Sequence, residues 1–139
     1  MCKLFLIRLI ASEASLGDLN RRLNGKGIES IPMSRFRPNI VIKGITPFAE
    51  DQMKVVQIGS SVFHIVACCP RCKQTCIDNA TGFTTSEPLH TMMEFRERNS
   101  NSVYFAVHAI PAWNSIGNTI HVGDAVTVLQ WGEPIWGDL

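Results

Sequence analysis

The chain has almost no net charge: thirteen lysines and arginines stand against twelve acidic residues, leaving +1 over 139 residues. A domain that grips nucleic acid or an anionic membrane surface normally carries a basic excess, and none is present. No apolar run approaches the length that spans a bilayer. Residues 1–10 are apolar but short, and Lys3 and Arg8 interrupt them. No cleavage site follows, so the stretch reads as a strand and not as a signal peptide. Internal repeats, low-complexity segments and linkers are absent. There is no glycine fingerprint for a dinucleotide and no iron–sulfur spacing of cysteines. Outside one cluster, cysteine is reduced to Cys2. Clustered cysteines cannot staple distant parts of a fold, which excludes a secreted disulfide scaffold and favours a reducing compartment, the cytoplasm.

What is there is enough for one domain spanning residues 1–139, with 45% hydrophobic content. Residues 4–10 read as a buried strand. Ala14, Leu16, Leu19 and Leu23 mark one face of a short helix, with Ser12 or Ser15 as its cap and Asn24-Gly25-Lys26-Gly27 as its end. Pro38 biases Arg37 toward an extended backbone. Strands follow at 40–43, 53–58 and 61–67, the last two joined at Gly59-Ser60. Ser86-Glu87-Pro88 opens a second helix carrying Leu89, Met92, Met93 and Phe95. After a polar loop at 99–102, strands are expected at 103–110 and 125–129. An irregular tail, 130–139, holds Trp131 and Trp136. About seven short strands with two helices predict a mainly β fold, a small barrel or strongly curved sheet.

The chemistry concentrates in Cys68-Cys69-Pro70-Arg71-Cys72-Lys73-Gln74-Thr75-Cys76, which leads into the turn Ile77-Asp78-Asn79-Ala80-Thr81-Gly82. Arg71 and Lys73 favour a thiolate, the form that acts as nucleophile and as metal ligand. Three uses compete. Structural zinc on Cys69, Cys72 and Cys76, with Cys68 or His90, lacks the usual second ligand pair. A redox pair at Cys69 and Cys72 lacks the strand-to-helix setting of thioredoxin-like motifs, because residues 75–77 read as extended. A single thiolate on a soft transition metal is the third. Cys68, Cys76 and Cys2 could equally be core or inert residues. His90 and His108 read as structural histidines. Arg37 is either a ligand-binding residue or a surface arginine paired with Glu50 or Asp51. Asp78 is either a turn former or a catalytic, metal-proximal group.

Several segments occur in one order: Arg35-Phe36-Arg37-Pro38-Asn39, Pro47-Phe48-Ala49-Glu50-Asp51, the cysteine cluster, Ser86-Glu87-Pro88-Leu89 and Val122-Gly123-Asp124. Together they resemble the MOSC domain, found at the C-terminus of molybdenum cofactor sulfurases and in amidoxime-reducing proteins. The resemblance covers about residues 12–129. It implies a closed or partly open barrel of the pyruvate-kinase type with two or three peripheral helices. It also implies a molybdenum–molybdopterin cofactor, with Cys72 as metal ligand and catalytic sulfur and Asp78 as a second catalytic candidate. Arg37, Asn39, Arg71, Ser12, Ser15 and Arg35 are the implied cofactor-side residues. A guanidinium suits the molybdopterin phosphate, and a helix start near Ser12 suits an anion.

If catalytic, such a domain would reduce N-hydroxylated compounds with electrons from a separate protein. Otherwise it would carry the cofactor or its activated sulfur. The family's association with pyridoxal phosphate belongs to the desulfurase half of the sulfurases. Amidoxime-reducing proteins carry a preceding domain that adds cofactor contacts. Here a partner chain could complete the pocket. The loop also departs from the family, with Cys76 and Asn79 where another residue and proline are frequent.

Overall fold

The computed structural model describes residues 6–98 and 101–137. Its elements, in chain order, are β1 (Arg8–Ser12), α1 (Glu13–Gly25), β2 (Ile40–Ile42), β3 (Met53–Ile58), β4 (Ser61–Arg71), α2 (Leu89–Arg96), β5 (Glu97–Arg98), β6 (Ser102–Pro111) and β7 (Val126–Trp131). Short 3₁₀ turns lie at Met33–Phe36, Ala49–Gln52, Lys73–Cys76 and Trp113–Ser115. The strands form one sheet in the order β2-β1-β6-β4-β3-β7, with β5 added on β6. The sheet curls into a half-barrel that ends at β2 on one side and β7 on the other. The fold is mainly β and partly open, as expected.

Alternation along each strand divides the core in two. Leu9, Ala11, Val103 and Phe105 face one side, where Leu19 and Leu23 of α1 and Met92 of α2 cover them. Ile10, Tyr104, Val107 and Ala109 face the other, with Met53, Val56, Phe63 and Ile65 from β3 and β4. Helix α1 forms where its apolar spacing predicts. Its cap is Ser12, whose Oγ accepts from the Ala14 N–H at 3.2 Å. Ser15 is not the cap. Gly27, at φ 76°, turns the chain out of the helix.

Four differences from the sequence reading have physical causes. Leu4 and Phe5 lie outside the described residues, and β1 continues to Ser12, because Ile10, Ala11 and Ser12 pair with β2. Strand β4 runs through Cys68 and Cys69 to Arg71, since Pro70 and Arg71 still pair with Tyr104 and Val103. Two register shifts in the β4–β6 ladder absorb this length. Residues 75–77 are not extended throughout: Thr75 N–H and Ile77 N–H close a 3₁₀ turn onto Cys72 and Gln74 carbonyls. Arg37 is not extended either. It adopts φ 52°, ψ 48°, because its N–H closes the preceding turn onto the Ser34 carbonyl at 3.2 Å.

The tail divides at Trp131, which belongs to β7. Beyond it, residues 132–137 fold back irregularly. The Cys68 N–H donates to the Ile135 carbonyl at 2.8 Å, and the Trp136 ring lies 5.2 Å from Tyr104.

Candidate functional site

The four cysteines of the cluster are free thiols with different fates. Cys68 points into the core and is 1% exposed. Burial, then the nearby Asp51 carboxylate, pushes its thiol up to about 12. Cys69 is also buried; burial pushes its thiol up, against a contrary pull from Arg71. Cys76 is 2% exposed. Cys72 alone of the four is exposed, at the point where β4 ends and the 73–76 turn begins. A metal or an electrophile approaching from solvent meets Cys72. The buried three fit the bland reading of cysteine as a small hydrophobe.

Arg71 is tied down beside it. One terminal nitrogen donates to the Phe36 carbonyl at 2.7 Å and the other to Cys69 Sγ at 3.1 Å. Its Nε is buried with no hydrogen-bond partner. Arg35 reaches the same loop, donating to the Thr75 carbonyl at 3.2 Å and lying 3.6 Å from the Asp78 carboxylate. Asn79 donates back to the Ser34 carbonyl at 3.1 Å. The 33–36 turn is thus fastened to the cysteine loop. Asp78 is itself held by the N–H groups of Ala80 and Thr81, at 2.8 and 3.1 Å, which keep its carboxyl below the usual range.

Beyond that turn, Asn39 pins the chain to β1. Its N–H donates to the Leu9 carbonyl at 2.9 Å, and its Oδ1 accepts from the Leu9 N–H at 2.7 Å. Leu9 faces His108 across the β1–β6 ladder. The segment 36–39 therefore runs from Arg71 to the row of His108. Arg37 stands between them, exposed on its left-handed turn. No hydrogen bond or ion pair engages its guanidinium among the described residues. Its alternative partners are taken: Asp51 pairs with Arg96 at 2.7 and 3.0 Å, and Glu50 accepts from Ser15 at 2.6 Å.

Ser12 and Ser15 are fully buried and bonded within the protein. Ser12 pairs with Ile42 of β2, and Ser15 bonds the Phe48 N–H and the Glu50 carboxyl, so neither hydroxyl is at the surface. His108, read from the sequence as a structural histidine, is half-buried with an unpartnered Nδ1. Burial and the charge of Arg71 push its pKa down, so the ring is neutral at pH 7. The signal that could have found it is a polar residue within an otherwise apolar strand.

Among the described residues, no three His, Cys, Asp or Glu side chains gather as a metal-binding group. That geometry gives no support to a cysteine–histidine zinc site. A site resting on one thiolate is a different arrangement. Cavities of about 260, 600 and 340 Å³ open elsewhere, beside Ser115, Val122 and Trp136. None of these three is lined by Cys72, Arg71 or Arg37, although Asn39 borders the first two. Among the described residues, no helix is long and apolar enough to cross a membrane.

The mouse mitochondrial amidoxime-reducing component 1 is 37% identical over 126 residues, covering 87% of this chain and 36% of that protein. The bovine mitochondrial amidoxime reducing component 2 is 35% identical over 123 residues, 85% of this chain and 35% of its own length. A molybdenum cofactor sulfurase of Arabidopsis thaliana is 41% identical over 96 residues, 63% of this chain but 12% of the sulfurase. The chain thus spans about a third of the amidoxime-reducing relatives and a smaller part of the sulfurase. The family model described as MOSC domain matches residues 8–127, and with the half-barrel and its cysteine loop this shows that the chain belongs to the MOSC domain family.

Proposed function

We propose that the chain binds the molybdenum cofactor, with the Cys72 sulfur as the protein ligand to the metal. The observation that carries the reading is the exposed Cys72 thiol on a loop fastened to the turn before Arg37. The residues fit such a group. A thiolate suits a soft metal. Arg37 offers a guanidinium fork to a phosphate. Arg71 Nε and His108 Nδ1 are buried polar atoms that still lack partners, and a polar ligand edge would supply them. When bound, the cofactor would supply a metal centre able to take up an oxygen atom while giving up two electrons.

The protein's own groups have narrower tasks. Cys72 holds the metal. Arg37 neutralises the phosphate. Arg71 and neutral His108 orient the pterin. Ser12 and Ser15 act as buried supports, because their hydrogen bonds are made within the protein, while the exposed Asn39 fastens the segment after Arg37 to β1. The relatives named amidoxime-reducing components make an N-hydroxylated compound the proposed substrate class. A separate redox protein would deliver electrons, and a partner chain would complete the pocket. The proposed setting is the cytoplasm.

The exposure of Cys72, outside all three cavities, favours a second reading as a carrier that hands the cofactor or its sulfur to another protein. The test is to purify the chain from a host that makes the cofactor. Molybdenum content and the fluorescence of the released, oxidised pterin are then measured. Both should be present at near-stoichiometric levels; their absence contradicts binding. Reduction of an amidoxime by the loaded protein with an artificial electron donor separates enzyme from carrier.

A further inference from the structure

We propose that Arg35 is a latch, a positioning residue that holds the loop carrying Cys72 against the turn carrying Arg37. The purpose of the latch rests on the cofactor reading above; its geometry does not. Between the last β4 pair at Arg71 and the isolated bridge from Ile77 to Thr84, the loop makes no ladder pairing among the described residues. Something other than the sheet must hold it there.

Arg35 supplies the hold. Its side chain is 9% exposed. Its guanidinium spans two points on the loop, the Thr75 carbonyl at 3.2 Å and the Asp78 carboxylate at 3.6 Å. Both points are firm. Asp78 is fixed by the Ala80 and Thr81 N–H groups. Thr75 is tied to Cys72 itself, since its N–H and its hydroxyl both donate to the Cys72 carbonyl, at 3.1 and 2.9 Å. A short chain of contacts therefore runs from Arg35 through Thr75 to the backbone of Cys72. Arg37 lies two residues from the other end. The Asn79 bond to the Ser34 carbonyl runs parallel to it. A surface ion pair between two mobile side chains would be worth little. Arg35 is different: its guanidinium is 9% exposed, donates a hydrogen bond to a backbone carbonyl and has the partly exposed Asp78 carboxylate 3.6 Å away, which places it better to fix a distance. In this arrangement Arg35 and Asp78 spend their charges on each other and on the loop.

Cys76 is the reporter. It is buried at the end of the latched turn, whereas Cys68 and Cys69 are buried within β4. The experiment uses the full chain without cofactor. Iodoacetamide labelling is followed thiol by thiol by peptide mass in the wild type, Arg35→Gln, Arg35→Lys and Asp78→Asn. Cutting the latch should label Cys76 about tenfold faster, as the loop opens locally. Cys68 and Cys69 should stay protected, and Arg35→Lys should restore part of the protection.

Cys76 labelling at the wild-type rate in Arg35→Gln overturns the proposal. So does labelling of Cys68 and Cys69 together with Cys76, which would make Arg35 a general stability residue. If Arg35→Gln does not fold, Asp78→Asn and Asn79→Ala take its place, and no acceleration in either overturns the latch. Molybdenum retention is read separately on Cys72→Ser. A failed latch leaves the cofactor reading standing, and a failed cofactor reading leaves the labelling pattern intact.

Discussion

At position 50 a carboxyl group is fully buried, with one oxygen accepting from the Ser15 hydroxyl and the other lacking a partner. Burial pushes it from 4.5 up to about 7; Asp51 pushes the same way, while the Ser15 bond and Arg96 oppose. A folded-state pKa above the unfolded one means that the neutral form is favoured on folding. The contribution of Glu50 is fully present below about pH 4.5 and is lost as pH rises through about 7. Unfolding free energy should therefore acquire a downward slope in that window, at most roughly 1.4 kcal/mol per pH unit from this group. Glu50→Gln should remove that component, measured by denaturant titration at several pH values; an unchanged slope contradicts it. The Ser15–Glu50 bond could not be read from the sequence, because its partners are 35 positions apart. Cys72 and Arg37 stand out in the sequence because each lies in a contiguous motif, and the structure leaves both exposed. The surroundings of His108 could not be read from the sequence, because Arg71 arrives from another strand.

Strand β6 carries an element-scale irregularity: Ala106 is fully buried at φ 70°, where an L side chain is strained. The neighbouring β4–β6 ladder shifts register between Cys68 and Pro70. A β-branched side chain at this backbone would add strain and overpack a closed site. Ala106→Val should cost about 3 kcal/mol in a denaturant melt; a loss under about 0.5 kcal/mol would mean that the backbone relaxes freely. The strand itself was legible from its apolar run. Its bulge was not, since no glycine marked it. The same limit applied at Arg37. The proline rule predicts an extended residue before Pro38, and closure of the 33–36 turn onto Ser34 overrides it. Propensity gave the elements, and tertiary hydrogen bonds set their ends.

Across the whole molecule, the buried pair of Asp51 and Arg96 joins distant parts of the chain. Arg96 donates to both Asp51 oxygens and, through Nε, to the Tyr104 carbonyl at 2.8 Å. Its guanidinium also lies 4.4 Å from the Phe48 ring and 5.6 Å from Trp136. Helix α2, the 49–52 turn, β6 and the tail therefore meet on one side chain. Arg96→Met strands a buried carboxylate and should cost about 3–5 kcal/mol, with a changed tryptophan emission as Trp136 loses one of the groups packed on its ring. A loss within about 1 kcal/mol would mean that the pair behaves as a surface one. The partly open β architecture was legible from strand count and turn spacing. The strand order was not, because nothing in the period of a strand names its neighbour.

The central claim rests on the sulfur of Cys72, and the most direct measurement is molybdenum bound per chain in wild type and Cys72→Ser purified from the same cofactor-producing host. Because Cys72 is exposed, the substitution should leave the unfolding midpoint essentially unchanged. The account predicts metal in the wild type and its loss from the serine variant. Molybdenum retained at the wild-type ratio by a folded Cys72→Ser protein would contradict it.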